Sequence, residues 1–288
     1  MSGVRFTKGH GTQNDFVLVP DLDGAITLTR DQVVLLADRR AGIGGDGVIR
    51  IVPTTLASEP AVREQAAAAT WFMDYSNADG SVAEMCGNGT RVFAAYLRRE
   101  GLETQDEFGI ATRAGVRSVK VTGEQYAVDL GPWHVVDPDG ARERGFGATV
   151  RARGGVELPA LLLDLGNPHT VVILPPEIGL DDLDLTEPPA VSPHPEYGTN
   201  VEFVTPISQG HIAMRVHERG VGETRSCGTG AAAAALATRW WEGESADNTE
   251  WVVDVPGGRL TVTALPDQHV ELAGPAVLVA DGTVTLLD

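Results

Sequence analysis

The sequence predicts an α/β (α+β) protein of two structurally similar domains, and three observations carry that expectation. Both of its cysteines lie in Cys-Gly-x-Gly, as Cys86-Gly87-Asn88-Gly89 and Cys227-Gly228-Thr229-Gly230. Each motif opens a strongly helix-forming stretch that a glycine, Gly101 or Gly243, would stop. The motifs stand 141 residues apart (227 − 86) in a chain of 288, and each half otherwise reads as many short strands. An internal repeat, one helix per domain among short strands, follows. Its divide is expected at 1–130 plus 275–288 against 131–274.

Taken in order, strands over 4–6 and 16–19 flank a polar turn over 9–15. Thr29-Arg30-Asp31 caps a short helix over 32–39 with apolar positions on one face. The glycine turn over 42–47 leads to a strand over 48–52 and lacks the Gly-Lys-Ser/Thr ending of a phosphate loop. Residues 54–69, rich in Ala, Glu and Thr, read as a surface insertion with room for a short helix over 61–69. A strand over 71–75 precedes the first cysteine helix. β segments near 107–113, 116–122 and 126–130 follow it, and Gly131-Pro132 breaks the pattern. Residues 137–155 read as loop. In the second half, strands over 161–165 and 170–174 flank the turn Gly166-Asn167-Pro168-His169. A proline-rich stretch over 175–198 holds one helical turn. Strands over 200–205 and 211–217 and a loop over 218–225 lead to the second cysteine helix. Strands over 251–255, 259–264, 269–273 and 276–280 finish the chain.

Composition bounds the function. A hydrophobic fraction of 42% with 22% charged residues is that of a globular domain. No apolar run approaches the roughly eighteen residues a membrane helix needs, and the N-terminus lacks a signal-peptide apolar region, so the cytoplasm is the expected location. Two lone cysteines there are expected as thiols. A net charge of −18 argues against nucleic acid and anionic membranes as partners, both of which need basic patches.

A sulfur at a helix start faces unpaired N–H groups and the positive end of the macrodipole, which predicts thiols shifted down toward neutrality. One such thiol suggests a nucleophile. Two, presented by equivalent domains, suggest acid and base on opposite faces of one carbon, which inversion of a stereocentre requires. Backbone N–H groups at the two glycine-rich helix starts would stabilise the developing carboxylate charge with no cofactor and no metal.

The segments Lys8-Gly9-His10-Gly11-Thr12-Gln13-Asn14-Asp15-Phe16, Asn77-Ala78-Asp79-Gly80-Ser81, Met85-Cys86-Gly87-Asn88-Gly89-Thr90-Arg91, Gly166-Asn167-Pro168-His169 and the run from Glu218-Arg219 to Gly230 arrive in that order across nearly the whole chain. Together they resemble the diaminopimelate epimerase family. The resemblance implies a cofactor-independent isomerase interconverting LL- and meso-2,6-diaminopimelate on the lysine and peptidoglycan route. It implies two domains, each a curled, mainly antiparallel β-sheet or barrel around a central helix. It places the acid–base pair on Cys86 (proton donor) and Cys227 (proton acceptor) in the LL to meso direction, swapped in reverse. Substrate contacts fall on Asn14, Asn77, Gly87, Asn88, Asn167, Asn200, Glu218, Arg219, Gly228 and Thr229, and thiol tuning on His169 and Glu218. Arg219 suits bidentate capture of a carboxylate, and asparagines can meet both ends of a zwitterion. His10 and His217 read as structural, and Asp46, Asp79 and Glu223 as turn or helix-entry residues.

Three positions depart from the family pattern. Gly47 stands where many relatives carry a substrate-reaching glutamine, 54–69 is longer than in many members, and Ala280 replaces a tyrosine linked to dimerisation, so a homodimer is an open expectation. A proline or hydroxyproline racemase of the same fold is the rival enzyme; Asn-Pro-His and Glu218-Arg219 favour diaminopimelate, whose second carboxylate needs an anchor. A metal module lacks any C-x-x-C or H-x-x-x-H spacing. A binding protein that kept the fold and lost the chemistry would be expected to have lost a cysteine.

Overall fold

The computed structural model describes residues 3–243 and 248–286. The chain divides into two compact units, Met1–Asp129 with Gly274–Asp288, and Leu130–Ala273.

In the first unit, β1 (Val4–Gly11) turns into β2 (Asn14–Pro20) through Thr12 and Gln13 alone, at φ 49° and 64°. Two positive φ values are what a two-residue hairpin demands, so the polar turn expected over 9–15 shrinks to its tip. Next come α1 (Arg30–Ala37), β3 (Gly47–Pro53), α2 (Pro60–Arg63) and β4 (Trp71–Asn77). After them stand α3 (Gly87–Arg99), β5 (Glu107–Ala111), β6 (Arg117–Thr122) and β7 (Gln125–Pro132), on which the chain leaves the unit. Thr29 caps α1 in a complete capping box with Gln32. Pairing runs β1–β2 antiparallel, β2–β3 parallel, β3–β4 antiparallel, β4–β5 parallel, then β5–β6–β7 antiparallel. The 54–69 stretch is no mere surface insertion: Ala57, Val62 and Ala69 are buried with Val52, Phe72 and Ala111.

The second unit carries β8 (His134–Val135), α4 (Pro138–Arg144), β9 (Ala148–Arg151), β10 (Leu158–Asp164), β11 (Pro168–Ile173), β12 (Ala190–Ser192), β13 (Asn200–Ser208) and β14 (His211–Glu218). It continues with β15 (Gly222–Thr224), α5 (Gly228–Trp241), β16 (Glu250–Val255), β17 (Gly258–Ala264) and β18 (His269–Pro275). The last strand, β19 (Val277–Val284), returns to the first unit and pairs antiparallel with β1. Pairing repeats the earlier order: β10–β11 antiparallel, β11–β13 parallel, β13–β14 antiparallel, β14–β16 parallel, then β16–β17–β18 antiparallel. In both units the cysteine helix is the crossover between the fourth and fifth strands of the series. The internal repeat is thus one of topology.

Residues 137–155, expected as loop, hold α4 and β9. Asp137 caps α4, Pro138 takes its first turn and Gly145 closes it at φ 82°. Ala148, Val150 and Ala152 then pack into the core with Leu174, Leu185 and Phe203.

Each cysteine helix is buried on all sides. Residues 87–97 of α3 are buried, as are 231–238 of α5. A helix with no solvent face must be apolar or small, or give its buried polar groups partners, as α3 does for Asn88 and Arg91. The alanine run 231–235 lets α5 sit against β10, β11, β13, β14, β16 and β17, which curl around it. Among the described residues no helix is long and apolar enough to cross a membrane.

Candidate active site

Cys86 is the N-cap residue of α3, with extended backbone (φ −144°), and its sulfur accepts from the Gly89 N–H at 3.5 Å. Asn14, at the foot of the β1–β2 hairpin, presents its Oδ1 to the same sulfur at 3.8 Å. That orientation is fixed from two sides. Asn14 Nδ2 donates to Asp46 Oδ2 at 2.6 Å, and Asn88 Nδ2 donates to Asn14 Oδ1 at 3.1 Å. Asn88 is held in turn by Arg91, which donates to Asn88 Oδ1, to Thr12 Oγ1 at 3.2 Å and to the Pro275 carbonyl at 3.1 Å. Arg91 is fully buried, and burial pushes its guanidinium down to about 10. So Asn14, Cys86, Gly87 and Asn88 form one connected group. Asp46 and Arg91, given no chemistry from sequence, are what orient it.

Asn77 is engaged in its own turn. Its amide donates to Ser81 Oγ at 3.0 Å and its Oδ1 accepts from the Tyr75 hydroxyl at 3.0 Å. It lies opposite Gly47 in the β3–β4 register. A Cβ on Gly47 would come within 2.5 Å of the Tyr75 ring and 2.6 Å of the Ser76 carbonyl. The Tyr75 side chain therefore fills the space a longer residue 47 would need.

Cys227 caps α5 in the same way (φ −115°), its sulfur accepting from the Gly230 N–H at 3.3 Å and lying 3.6 Å from Thr229 Oγ1. Asn167 Nδ2 reaches Thr229 Oγ1 at 3.4 Å, and Asn167 Oδ1 meets His169 Nε2 at 3.1 Å. Asn200 ties the next loop down: its Nδ2 donates to the Pro168 carbonyl at 3.1 Å and its Oδ1 accepts the Arg219 N–H at 2.9 Å. Glu218 accepts from the Thr224 hydroxyl. The Arg219 side chain is exposed, and among the described residues its guanidinium reaches only the Tyr197 carbonyl, at 3.5 Å. Asn167, His169, Asn200, Glu218, Arg219, Cys227, Gly228 and Thr229 thus gather around the start of α5 and the end of β14. Among the described residues no group of three or more His, Cys, Asp or Glu side chains is placed to share a metal ion.

The expected downward shift fails at Cys227. Burial pushes this thiol well above its ordinary value, and the Glu218 and Glu202 carboxylates push it further. The Thr229 hydroxyl and the Gly230 N–H oppose this without cancelling it. The helix start is present as predicted, but desolvation and two nearby negative charges outweigh it.

The two glycines that close the cap turns differ in what a methyl group would meet. At Gly230 a Cβ would fall 2.9 Å from Glu202 Oε1 and 3.2 Å from the Cys227 sulfur; at Gly89 the nearest atom is the mobile end of Ile49, at 3.2 Å. Gly230→Ala is therefore expected to destabilise the protein by about 1–3 kcal/mol, as overpacked sites do. For Gly89→Ala the gain in helix propensity, about 0.5–1 kcal/mol, offsets the milder contact. Thermal unfolding of both variants checks the contrast, and equal losses would contradict it.

The architecture is one that solved structures of other proteins share. The Bacillus anthracis phenazine biosynthesis protein of the PhzF family superposes with a TM-score of 0.71, at 19% identity over 99% of this chain and 100% of that one. A hydroxyproline epimerase from Agrobacterium vitis superposes at 0.66, with 15% identity over 99% and 93%. At such identities the likeness concerns the fold alone. Sequence is more specific, and the chain belongs to the diaminopimelate epimerase family, whose profile matches residues 6–136 and 161–279. The diaminopimelate epimerase of Streptomyces coelicolor is 48% identical, over 97% of this chain and 94% of that one. That of Thermobifida fusca is 45% identical over 98% of each.

Proposed function

We propose that the protein interconverts LL- and meso-2,6-diaminopimelate by proton transfer at Cys86 and Cys227, serving lysine and peptidoglycan synthesis in the cytoplasm. The observation that carries this reading is the pair of cysteine N-caps, one at each of two buried helices, within a family defined by that substrate. Each unit is assigned one half of the machinery: an acid–base sulfur and the first N–H groups of its helix.

In the LL to meso direction, Cys227 as thiolate takes the α-proton and Cys86 delivers its thiol proton to the opposite face of the same carbon. One proton is gained by sulfur and one lost, so the reverse reaction starts from the swapped pair. The α-carbon is a very weak acid, so charge developing on the substrate carboxylate has to be held. The N–H groups of Gly87, Gly228 and Thr229 are the first of their helices and lack intrahelical acceptors. A thiolate formed at Cys227 against burial and two carboxylates is a strong base, which suits so weak a carbon acid. Asn14, Asn88 and Asn167, each with its amide fixed by neighbours, would orient the zwitterion, with Asn77, Asn200 and Arg219 completing its anchorage. His169 and Glu218 would set the proton balance of the sulfurs. A homodimer and the absence of nucleic-acid partners remain part of this proposal, the latter on the charge of −18.

Incubation with LL-diaminopimelate in deuterated water is expected to yield meso product carrying deuterium at the inverted α-carbon. Racemisation of free proline with none of diaminopimelate would overturn the reading in favour of the rival enzyme.

A further inference from the structure

Glu202 lies on β13 at the midpoint of the buried run 200–204, and its side chain is fully buried. Its Oε1 sits 2.7 Å from His169 Nδ1, and its Oε2 is buried with no hydrogen-bond partner among the described residues. On the other side it presses on the start of α5. The point where a Gly230 Cβ would stand is 2.9 Å from Glu202 Oε1 and 3.2 Å from the Cys227 sulfur, so carboxylate and sulfur flank one glycine. A second path joins the same two groups: His169 Nε2 to Asn167 Oδ1 at 3.1 Å, Asn167 Nδ2 to Thr229 Oγ1 at 3.4 Å, Thr229 Oγ1 to the sulfur at 3.6 Å.

The donor directions along that path are constrained. Asn167 Oδ1 can only accept, so His169 Nε2 carries a proton. A second proton lies between Nδ1 and Oε1, whether the pair is imidazolium with carboxylate or neutral ring with carboxylic acid. In either form Nε2–H donates to Asn167, Asn167 donates to Thr229, and the Thr229 hydroxyl is left to donate to sulfur.

We propose that Glu202 is a positioning residue for proton transfer at Cys227: it anchors the His169–Asn167–Thr229 chain with its donors aimed at the sulfur, and as a carboxylate it sets a negative charge beside that sulfur across Gly230. The inference rests on the reading of Cys227 as an acid–base group. Among the described residues the charged or titratable groups that face Cys227 are Glu218 from the end of β14, Glu202 from β13 and His169 through the chain from β11; α5 itself contributes the Gly230 N–H and the Thr229 hydroxyl. Those facing Glu202 are His169 and Cys227. A partner needed only to hold the imidazole could be a glutamine, whose oxygen also accepts. The carboxylate adds charge, and the charge acts on the sulfur.

The test is the pH dependence of alkylation of the full-length protein by iodoacetamide, read separately for each cysteine by peptide mass spectrometry, with Cys86 as the internal reference. In Glu202→Gln the Cys227 profile is expected to move to lower pH. Thiolate fraction changes about tenfold per pH unit below the midpoint, so a half-unit move gives roughly a threefold faster reaction of Cys227 near neutral pH. Cys86 should not change, and Glu202→Asp, which keeps the charge, should stay near the wild-type profile. A Cys227 profile in Glu202→Gln that superposes on wild type, or that moves together with Cys86, overturns the proposal. Should the glutamine variant not fold, ring ¹⁵N shifts of His169 in the wild-type protein decide: a protonated Nε2 is expected, and a bare Nε2 overturns the donor order. Neither measurement uses substrate, so a failure here is distinct from a failure of deuterium incorporation.

Discussion

Cys227→Ser is expected to lower kcat for epimerisation of LL-diaminopimelate by about 10²–10⁴-fold, the range a positioned acid–base group contributes. A serine hydroxyl is a far weaker acid than a thiol. With burial and the Glu218 and Glu202 carboxylates already opposing a negative charge at this position, its alkoxide is out of reach. Cys86→Ser should be similarly severe. The double variant should be little worse than either single one, because the two sulfurs act in one transfer. The loss should be chemical rather than structural. Both cysteines occupy N-cap positions with extended backbone, where serine is among the preferred residues. Melting temperatures should therefore hold or rise while activity collapses. Either serine variant keeping a tenth or more of wild-type kcat would rule out the two-cysteine mechanism.

The cysteine motifs were legible because each combines a local signal with a long-range one. Glycines next to a cap residue mark the helix start, and the same motif recurring half a chain later marks the repeat. The alanine run of α5 announced a helix, and its burial on every side explains why alanine rather than a charged face fills it. Segments built on small residues were harder to read. In 137–155 the Asp137-Pro138 start and Gly145 stop of α4 were present, but Ala141 is the helix's one buried side chain, and polar residues dominate its composition. β9 buries Ala148 and Val150, a weak alternation in a glycine- and arginine-rich setting. The 54–69 segment likewise contributes only Ala57, Val62 and Ala69 to the core.

Glu202 was missed for a different reason. An acid inside Asn200-Val201-Glu202-Phe203-Val204 reads as the solvent side of a half-buried strand, yet all five residues are buried, so the period-two rule has no solvent face to report. The error on the Cys227 thiol has the same root. A helix start is visible in sequence, whereas the desolvation and the carboxylates that outweigh it come from β13 and β14, some ten to twenty-five residues earlier in the chain and adjacent only after folding.

Arg219 presents the opposite case, a charge the fold leaves uncommitted. The chain holds 40 acidic residues against 22 lysines and arginines, so an arginine has no shortage of possible partners. Arg39, Arg50, Arg113 and Arg215 all donate to carboxylates within 3 Å. Arg219 forms no such pair among the described residues, although Asn200 fixes its backbone N–H at 2.9 Å. Its position is thus anchored while its guanidinium keeps both donor edges, apart from the 3.5 Å approach to the Tyr197 carbonyl. An anchored arginine without an acid is suited to bidentate capture of a carboxylate, and the substrate has two. Arg219→Ala is expected to lower kcat/KM for diaminopimelate by about 10²-fold or more, since each hydrogen bond to a charged group contributes about 1.5–3 kcal/mol. Arg219→Lys should fall between, keeping the charge and losing the planar fork. Stability should move by no more than about 0.5 kcal/mol in either variant, as at other exposed positions. Steady-state kinetics beside thermal unfolding separates these outcomes. An Arg219→Ala enzyme with unchanged kcat/KM would mean that neither substrate carboxylate rests on this side chain, and the anchor would then have to be sought among the asparagines and helix-start N–H groups.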